Sequence, residues 1–281
     1  MQEVRSCTGK TFTIESTYCT LIIGTKELAG VSDDLSHILK NWEYNPDKPV
    51  RIITADDGRE VLQVRQPLGV EQYELDGRPD GGRPEGEETF LSVIEKRLSN
   101  HILQHANDSE FSISQEDLLN LQNEGILFYY RYLQLFQVGD FERTVRDTAH
   151  NLNICERIEK YCQESEDKNT ILQYKPYILR MHAIAEAMIS LHKNLNTVAK
   201  DTLETAIAMI NNMQDIDTPA FKFEKIRSLS YLKSALKQID DSDSTPTDKL
   251  KVELDAAVAD EDYERAALLR DKIKEIKDLP D

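Results

Sequence analysis

The stretch LKVELDAAVADEDYERAALLRDKIKEI, residues 250–276, predicts two short helices that pack against each other. Its apolar residues recur every three or four positions, which is typical of amphipathic helices. The acidic residues 260–262 end the first helix and supply caps for the second, because a helix N-terminus favours negative charge. Small alanines allow the two backbones to approach closely. We expect the first helix to bury Leu250, Leu254, Ala257 and Val258, and the second to offer Tyr263, Ala266, Ala267, Leu269, Ile273 and Ile276.

This stretch resembles the UVR motif of the repair proteins UvrB and UvrC and of McsA-like regulators. The resemblance lies in the leading leucines, in the aromatic-Glu-x-Ala-Ala core at 263–267, and in Arg270-Asp271 followed by Ile273. It implies a module that binds other proteins, often another UVR hairpin, and does no chemistry. An ordinary solvated hairpin is the alternative, because short motifs also occur by chance. The partner-binding residues that the resemblance implies are Leu250, Leu254, Tyr263, Glu264, Ala266, Ala267, Arg270, Asp271, Ile273 and Ile276.

The resemblance extends to no other part of the chain. The nuclease or helicase segments of the repair proteins have no counterpart here, and neither do the Cys-x-x-Cys pairs with which McsA-like proteins bind zinc. A segment rich in Asp, Ser and Thr at 240–247 is the clearest domain boundary. We therefore place the UVR hairpin at 247–279.

Residues 89–239 carry a helical pattern that partly resembles a tetratricopeptide repeat. Gly139-Asp140 lies where that repeat has its turn, and Ser114 with Asp117 forms a helix-starting capping box. Arg131 and Tyr132 replace the usual Leu-Gly, and a second candidate repeat is offset by about 55 residues rather than the 34 of the family. A plain helical bundle is the alternative. Either arrangement offers a helical surface for binding peptides or helices.

Residues 1–88 predict a small, mainly β domain. Strand-like segments occur at 11–23 and on both sides of Asp57-Gly58, a strong β-hairpin signal, with a short helix near 33–42 between them. A Gly/Pro-rich loop follows at 76–86. Its Arg78 and Arg83 are candidate anion-binding residues, although such a loop also serves as a simple connection between domains.

Composition narrows the class of function. The formal net charge is −17, which disfavours direct binding to nucleic acid or to an anionic membrane. The first residues show no apolar signal core, and the four cysteines are sparse, so we expect a cytoplasmic protein with free thiols. His101 and His105 lack the further ligands of a metal site, and Cys155 and Cys162 are spaced to line one buried helix face. We expect neither a metal nor a cofactor, and no catalytic residues are recognisable.

The sequence thus predicts an α+β protein with a β-rich N-terminal domain, a helical middle and a helical hairpin at the end. The first hypothesis is a non-catalytic scaffold or regulator, whose hairpin binds a UVR-bearing or Clp-type protein, or a second copy of itself. The second hypothesis is a ligand-binding or enzymatic N-terminal domain, with an anion or nucleotide at the Gly/Arg loop and a regulatory helical tail. The pathway that the protein serves is not predicted.

Overall fold

Residues 34–163, 165–243, 246–259 and 262–277 are described in the structure, which is a computed structural model. Contacts divide the chain into two units, Met1–Glu43 and Tyr44–Asp281. In the first unit, helix α1 (Ser36–Asn41) follows Asp34, whose carboxylate accepts hydrogen bonds from the amide of Ser36 at 3.0 Å and from its hydroxyl at 2.7 Å. The predicted strand at 11–23 lies outside the described residues.

The second unit begins with a three-stranded antiparallel sheet in the order β1-β2-β3. The strands are β1 (Val50–Thr54), β2 (Glu60–Gln66) and β3 (Gly69–Glu74). The hairpin predicted at Asp57-Gly58 is confirmed, and Gly58 adopts a φ of 87°, which an L side chain rarely tolerates. Strand β3 was not predicted from the sequence.

The remaining elements are helical. The Gly/Pro-rich loop predicted at 76–86 contains a short 3-10 turn at Pro84–Gly86. The helices are α2 (Phe90–His105), α3 (Gln115–Gln137), α4 (Phe141–Tyr161), α5 (Ser165–Leu172), α6 (Lys175–His192), α7 (Asn196–Asn211), α8 (Pro219–Asp243), α9 (Pro246–Ala259) and α10 (Tyr263–Lys277). The segment predicted as a linker at 240–247 is mostly helical, since α8 continues to Asp243 and α9 begins at Pro246.

The long helices form successive hairpins, α3 with α4 and α6 with α7, and α8 packs on both α6 and α7. The Ser114–Asp117 capping box that starts α3 is confirmed, with both reciprocal hydrogen bonds present. One apolar core joins α2, α3 and α4 around Ile94, Leu121 and Ile158, and a second joins α6, α7 and α8. Cys155 and Cys162 are both buried in the first core, as their spacing predicted.

A buried ion pair fastens the sheet to the helical hairpin. The guanidinium of Arg131 on α3 donates two hydrogen bonds to the Asp147 carboxylate on α4, at 2.6 and 2.7 Å, and both side chains are fully buried. The same guanidinium donates to the backbone carbonyls of Glu74 and Gly77, at 2.7 and 2.9 Å. Arg131 therefore satisfies backbone groups where the strand passes into the loop, which a leucine at this position cannot do.

The architecture is α+β, as predicted, with the sheet preceding the long helices α2 to α10. Leu62 and Leu75 pack against Leu135 near the end of α3, which places one face of the sheet on the helical array. None of the described helices combines the length and the apolar character that crossing a membrane requires.

Candidate protein-interaction surfaces

The C-terminal hairpin has a small inner core. Ala257 of α9 packs against Ala266 and Leu269 of α10, and Leu250 and Leu254 contribute partly buried side chains. Asp262 caps α10, since its carboxylate accepts a hydrogen bond from the amide of Arg265 at 3.1 Å. An acidic residue thus starts the second helix, as the sequence predicted.

The outer face of the hairpin exposes apolar side chains. Tyr263 is 68% exposed, Leu268 is 62% exposed and Val258 is 50% exposed. Val258 was predicted to be buried and Ala267 to lie where the two helices approach closely, but both residues are exposed. Each follows a buried alanine, Ala257 or Ala266, and successive residues of a helix point about 100° apart, so the residue after a buried one faces outward here. Ile273 is buried, whereas the side chain of Ile276 lies outside the described residues.

The charged residues of the motif also lie on the outside. Glu264 is exposed, and the exposed guanidinium of Arg270 contacts the carboxylate of Asp271 at 2.9 Å. The partner-binding residues named from the sequence therefore separate into two groups. An inner group holds the hairpin together, and an outer group is accessible to another protein. Leu268 belongs to the outer group but was missed, although two adjacent leucines cannot both face one neighbouring helix.

The second candidate surface is a groove among α3, α4, α5, α6 and α8. It is a groove of about 490 Å³, within the usual range for ligand pockets. Tyrosines dominate its walls, with Tyr129 at the centre of contacts to Tyr130, Tyr132 and Tyr177 at ring-centroid distances of 5.4 to 5.9 Å. Sequence reasoning missed this groove. The available signals were the run Tyr129-Tyr130-Arg131-Tyr132 and a glycine, Gly125, in the middle of a 23-residue helix.

Burial in and beneath the groove changes the acidity of its groups. Burial raises the pKa of the Cys155 thiol to about 12, and it raises the pKa of Tyr132 well above its usual value. Burial also lowers the pKa of Arg180, whose guanidinium lies over the ring of Tyr177 at 4.9 Å. The thiol therefore stays protonated and unreactive at neutral pH.

The two arginines of the Gly/Pro-rich loop at 76–86 have different contacts. Arg78 contacts the Asp80 carboxylate at 2.9 Å and lies 3.9 Å from the buried carboxylate of Glu124. The guanidinium of Arg83 donates a long hydrogen bond, 3.5 Å, to the carbonyl of Gly86. An anion at Arg78 would have to compete with two carboxylates that are already in place.

Glu124 itself has a structural role. Its carboxylate accepts hydrogen bonds from the amides of Phe90 and Leu91 at the start of α2, and His150 lies 3.1 Å away. A buried charged group is tolerated only when it is paired or hydrogen-bonded. These contacts therefore explain why Glu124 is fully buried, and no catalytic role is needed to explain it. Among the described residues, no three His, Cys, Asp or Glu side chains gather in a group that could hold a metal ion.

Comparison with known proteins identifies the hairpin. The family model for the UvrB/uvrC motif, UVR, matches residues 246–279, which are the two helices α9 and α10 with their flanking residues. No curated protein and no solved structure matches the chain. The chain therefore carries a UVR motif at its C-terminal end, and the match covers 34 of its 281 residues.

Proposed function

We propose that this protein is a non-catalytic interaction scaffold or regulator that captures a partner protein through its UVR hairpin. The partner is another UVR-bearing protein, a Clp-type protein or a second copy of this chain. The observation that carries the proposal is the exposure of Tyr263 and Leu268 on a hairpin whose inner core is already complete. Apolar side chains gain about 1.5–3 kcal/mol each when another surface covers them, so their exposure favours a partner.

The helical array is the second binding element of the proposal. Its hairpins α3–α4 and α6–α7 pack in succession, as in tetratricopeptide-like arrays, and they form the tyrosine-lined groove. In this proposal the array holds one protein while the UVR hairpin recruits another. The setting is the cytoplasm, where the sparse cysteines stay reduced.

Removal of residues 247–281 tests the proposal. The truncated protein should keep its melting temperature, because the hairpin core consists of its own residues, and it should lose self-association or partner capture. Tyr263→Ala in the full chain should cause most of the same loss. Light scattering measures self-association, and pull-downs with a second UVR hairpin measure capture. Identical behaviour of the truncated and full-length proteins in both assays would overturn the proposal.

The alternative function, an anion-binding or catalytic unit at the Gly/Arg loop, gains no support from the loop geometry. Arg78 is engaged by carboxylates, and the nearby buried Glu124 is accounted for as a cap of α2. An isotope-labelled phosphate or nucleotide that bound near Arg78 and Arg83 would revive it.

A further inference from the structure

Helix α8 carries a second apolar face that none of the described elements covers. Its inner face packs on α6 and α7 through the buried residues Leu232 and Ile239. Phe223 and Ile226 lie on the outer face instead, with exposed fractions of 60% and 71%. A helix that packs on one side of a bundle normally exposes charged and polar residues on its other side. Two large apolar side chains on that side therefore indicate a surface that another molecule contacts.

The outer face of α8 is also basic. Residues 219–237 include five lysines and arginines but only one acidic residue, although the whole chain has a formal net charge of −17. Lys222 pairs with the exposed carboxylate of Asp217 at 2.6 Å. Lys233 and Lys237 are exposed and contact no carboxylate within the described part of the chain. The lysines are four, seven and eleven residues from Ile226, and these spacings place them on the same side of the helix. We call this surface the basic face, and it consists of Lys222, Phe223, Ile226, Lys233 and Lys237.

The end of the UVR hairpin where α9 meets α10 has the opposite charge. Residues 253–264 include six acidic residues and no basic one. Two apolar side chains among them, Val258 and Tyr263, are exposed. Asp255 and Glu264 are exposed as well, and neither contacts a basic side chain of the described residues. We call this surface the acidic tip, and its described, exposed residues are Asp255, Val258, Asp262, Tyr263 and Glu264.

The two surfaces complement each other in charge and in apolar character. The basic face has two large apolar side chains beside lysines, and the acidic tip has two apolar side chains beside carboxylates. Both surfaces are exposed in the same chain, so one copy does not bury either of them against the other. A second copy supplies the missing surface for each. The overall negative charge of both copies opposes this contact only weakly, because the Debye length is about 8 Å at physiological salt.

We propose that the basic face of α8 binds the acidic tip of the UVR hairpin of a second copy of this chain. In a pair of copies related by a twofold axis, each chain gives its hairpin to the other, so both contacts form and assembly stops at a dimer. The inference rests on the proposed function, because it names the partner of the hairpin and the surface that the hairpin binds. A basic helix face with exposed apolar residues also suits an anionic membrane, but the net charge of −17 opposes that partner.

An exchange of charges between the two surfaces tests the contact in the full-length protein. Lys233→Glu with Lys237→Glu places two carboxylates on the basic face, and Asp255→Lys with Glu264→Lys places two amines on the acidic tip. Sedimentation velocity over a range of concentrations measures dimerisation. Each double variant alone should dimerise at least about tenfold more weakly than the wild type, because like charges then face each other. An equimolar mixture of the two double variants should recover most of the lost affinity, because in a mixed pair the two changed surfaces meet each other and so do the two unchanged ones.

Three results would overturn the inference. The first is a wild-type chain that remains monomeric at its highest soluble concentration. The second is a pair of double variants that dimerise as the wild type does. The third is a mixture that recovers nothing, which would place the contact within one chain or on another surface.

Matched variants separate this contact from a general effect of charge. Lys48→Glu with Lys193→Glu changes the net charge by the same amount at exposed positions outside α8, and it should leave dimerisation within about twofold of the wild type. An equal loss in this control would refute the inference. Ile226→Ala removes an exposed apolar side chain without changing the charge, and it should weaken dimerisation severalfold at an unchanged melting temperature.

Two further measurements distinguish the other partners. Sedimentation with phosphatidylserine vesicles identifies a membrane surface, and the inference fails if Lys233→Glu with Lys237→Glu abolishes vesicle binding but leaves dimerisation intact. Pull-down of a separate UVR hairpin does not need α8, so this capture should survive the same double variant. Loss of dimerisation through α8 and loss of capture by the hairpin are therefore separate results.

Discussion

Leu268 and Leu269 are adjacent in sequence, but one is exposed and the other is buried in the UVR hairpin, so the same substitution should have different effects at the two positions. Leu269 is 6% exposed and packs in the inner core, whereas Leu268 is 62% exposed. Replacing a buried leucine by alanine costs about 2–5 kcal/mol. A module of 34 residues has a stability of only about 2–5 kcal/mol, at 0.05–0.15 kcal/mol per residue. Leu269→Ala should therefore open most of the hairpin, and Leu268→Ala should change its stability by less than about 0.5 kcal/mol.

Hydrogen exchange in the full-length protein measures the two effects on the amides of α9 and α10. A loss of 2 kcal/mol or more corresponds to exchange that is at least about 30-fold faster in Leu269→Ala. In Leu268→Ala the exchange should change by no more than about twofold. Partner capture gives the second readout. Burying the exposed part of Leu268 is worth about 1–2 kcal/mol, so Leu268→Ala should weaken capture about 5- to 30-fold while the hairpin stays folded.

The comparison of the two variants can refute the reasoning directly. Equal acceleration of exchange in both variants would mean that the hairpin does not have the inner and outer faces seen in the structure. Normal capture by Leu268→Ala, together with normal exchange, would remove this residue from the interaction surface. Normal capture by Leu269→Ala would show that partner binding does not need a folded hairpin.

Four further predictions concern the helices that precede the UVR hairpin and the composition of the whole chain. Arg131→Met removes the buried partner of the Asp147 carboxylate and leaves it only the partly exposed Arg146, whose Nε lies 3.1 Å from Oδ1. The free energy of unfolding should fall by about 3–5 kcal/mol, with partial recovery when Asp147→Leu is added, and thermal melts measure both. The Cys155 thiol, with a pKa of about 12, should resist alkylation at pH 8 in the native protein and react after denaturation, as followed by peptide mass spectrometry. The net charge of −17 predicts that duplex DNA is not retained at physiological salt, and a gel shift at sub-micromolar protein would contradict this. The absence of Cys-x-x-Cys pairs from the sequence predicts no stoichiometric zinc after dialysis, which elemental analysis decides.

Features that depend on neighbouring residues were predictable from the sequence. The hairpin at Asp57-Gly58 follows from a turn preference, and the start of α3 follows from the reciprocal pairing of Ser114 and Asp117. The start of α2 at Phe90 lies one residue from the predicted onset of the helical pattern, with Thr89 as its cap. These signals act within a few residues, so a single sequence contains all the information that they need.

Features that depend on distant residues were not predictable. Glu124 caps a helix that starts 34 positions earlier, and Arg131 satisfies carbonyls more than 50 positions earlier. The groove collects residues from Leu121 to Arg227, and a tyrosine on a helix surface gives no sign of which other tyrosines it will meet. In the sequence, Arg131 counted only as a departure from the tetratricopeptide pattern. In the structure it joins the sheet to the array, which gives that departure a physical reason.

The small size of the hairpin core links its folding to its proposed binding. Ala257, Ala266 and Leu269 are the buried residues of this core cluster, and two of them are alanines, which bury little apolar surface. A partner that covered Tyr263 and Leu268 would add about 2–5 kcal/mol, which is comparable to the stability of the hairpin itself. By mass action, any protein that binds only the folded hairpin stabilises it by its own binding free energy. Partner capture should therefore appear not only in a pull-down but also as slower hydrogen exchange throughout α9 and α10.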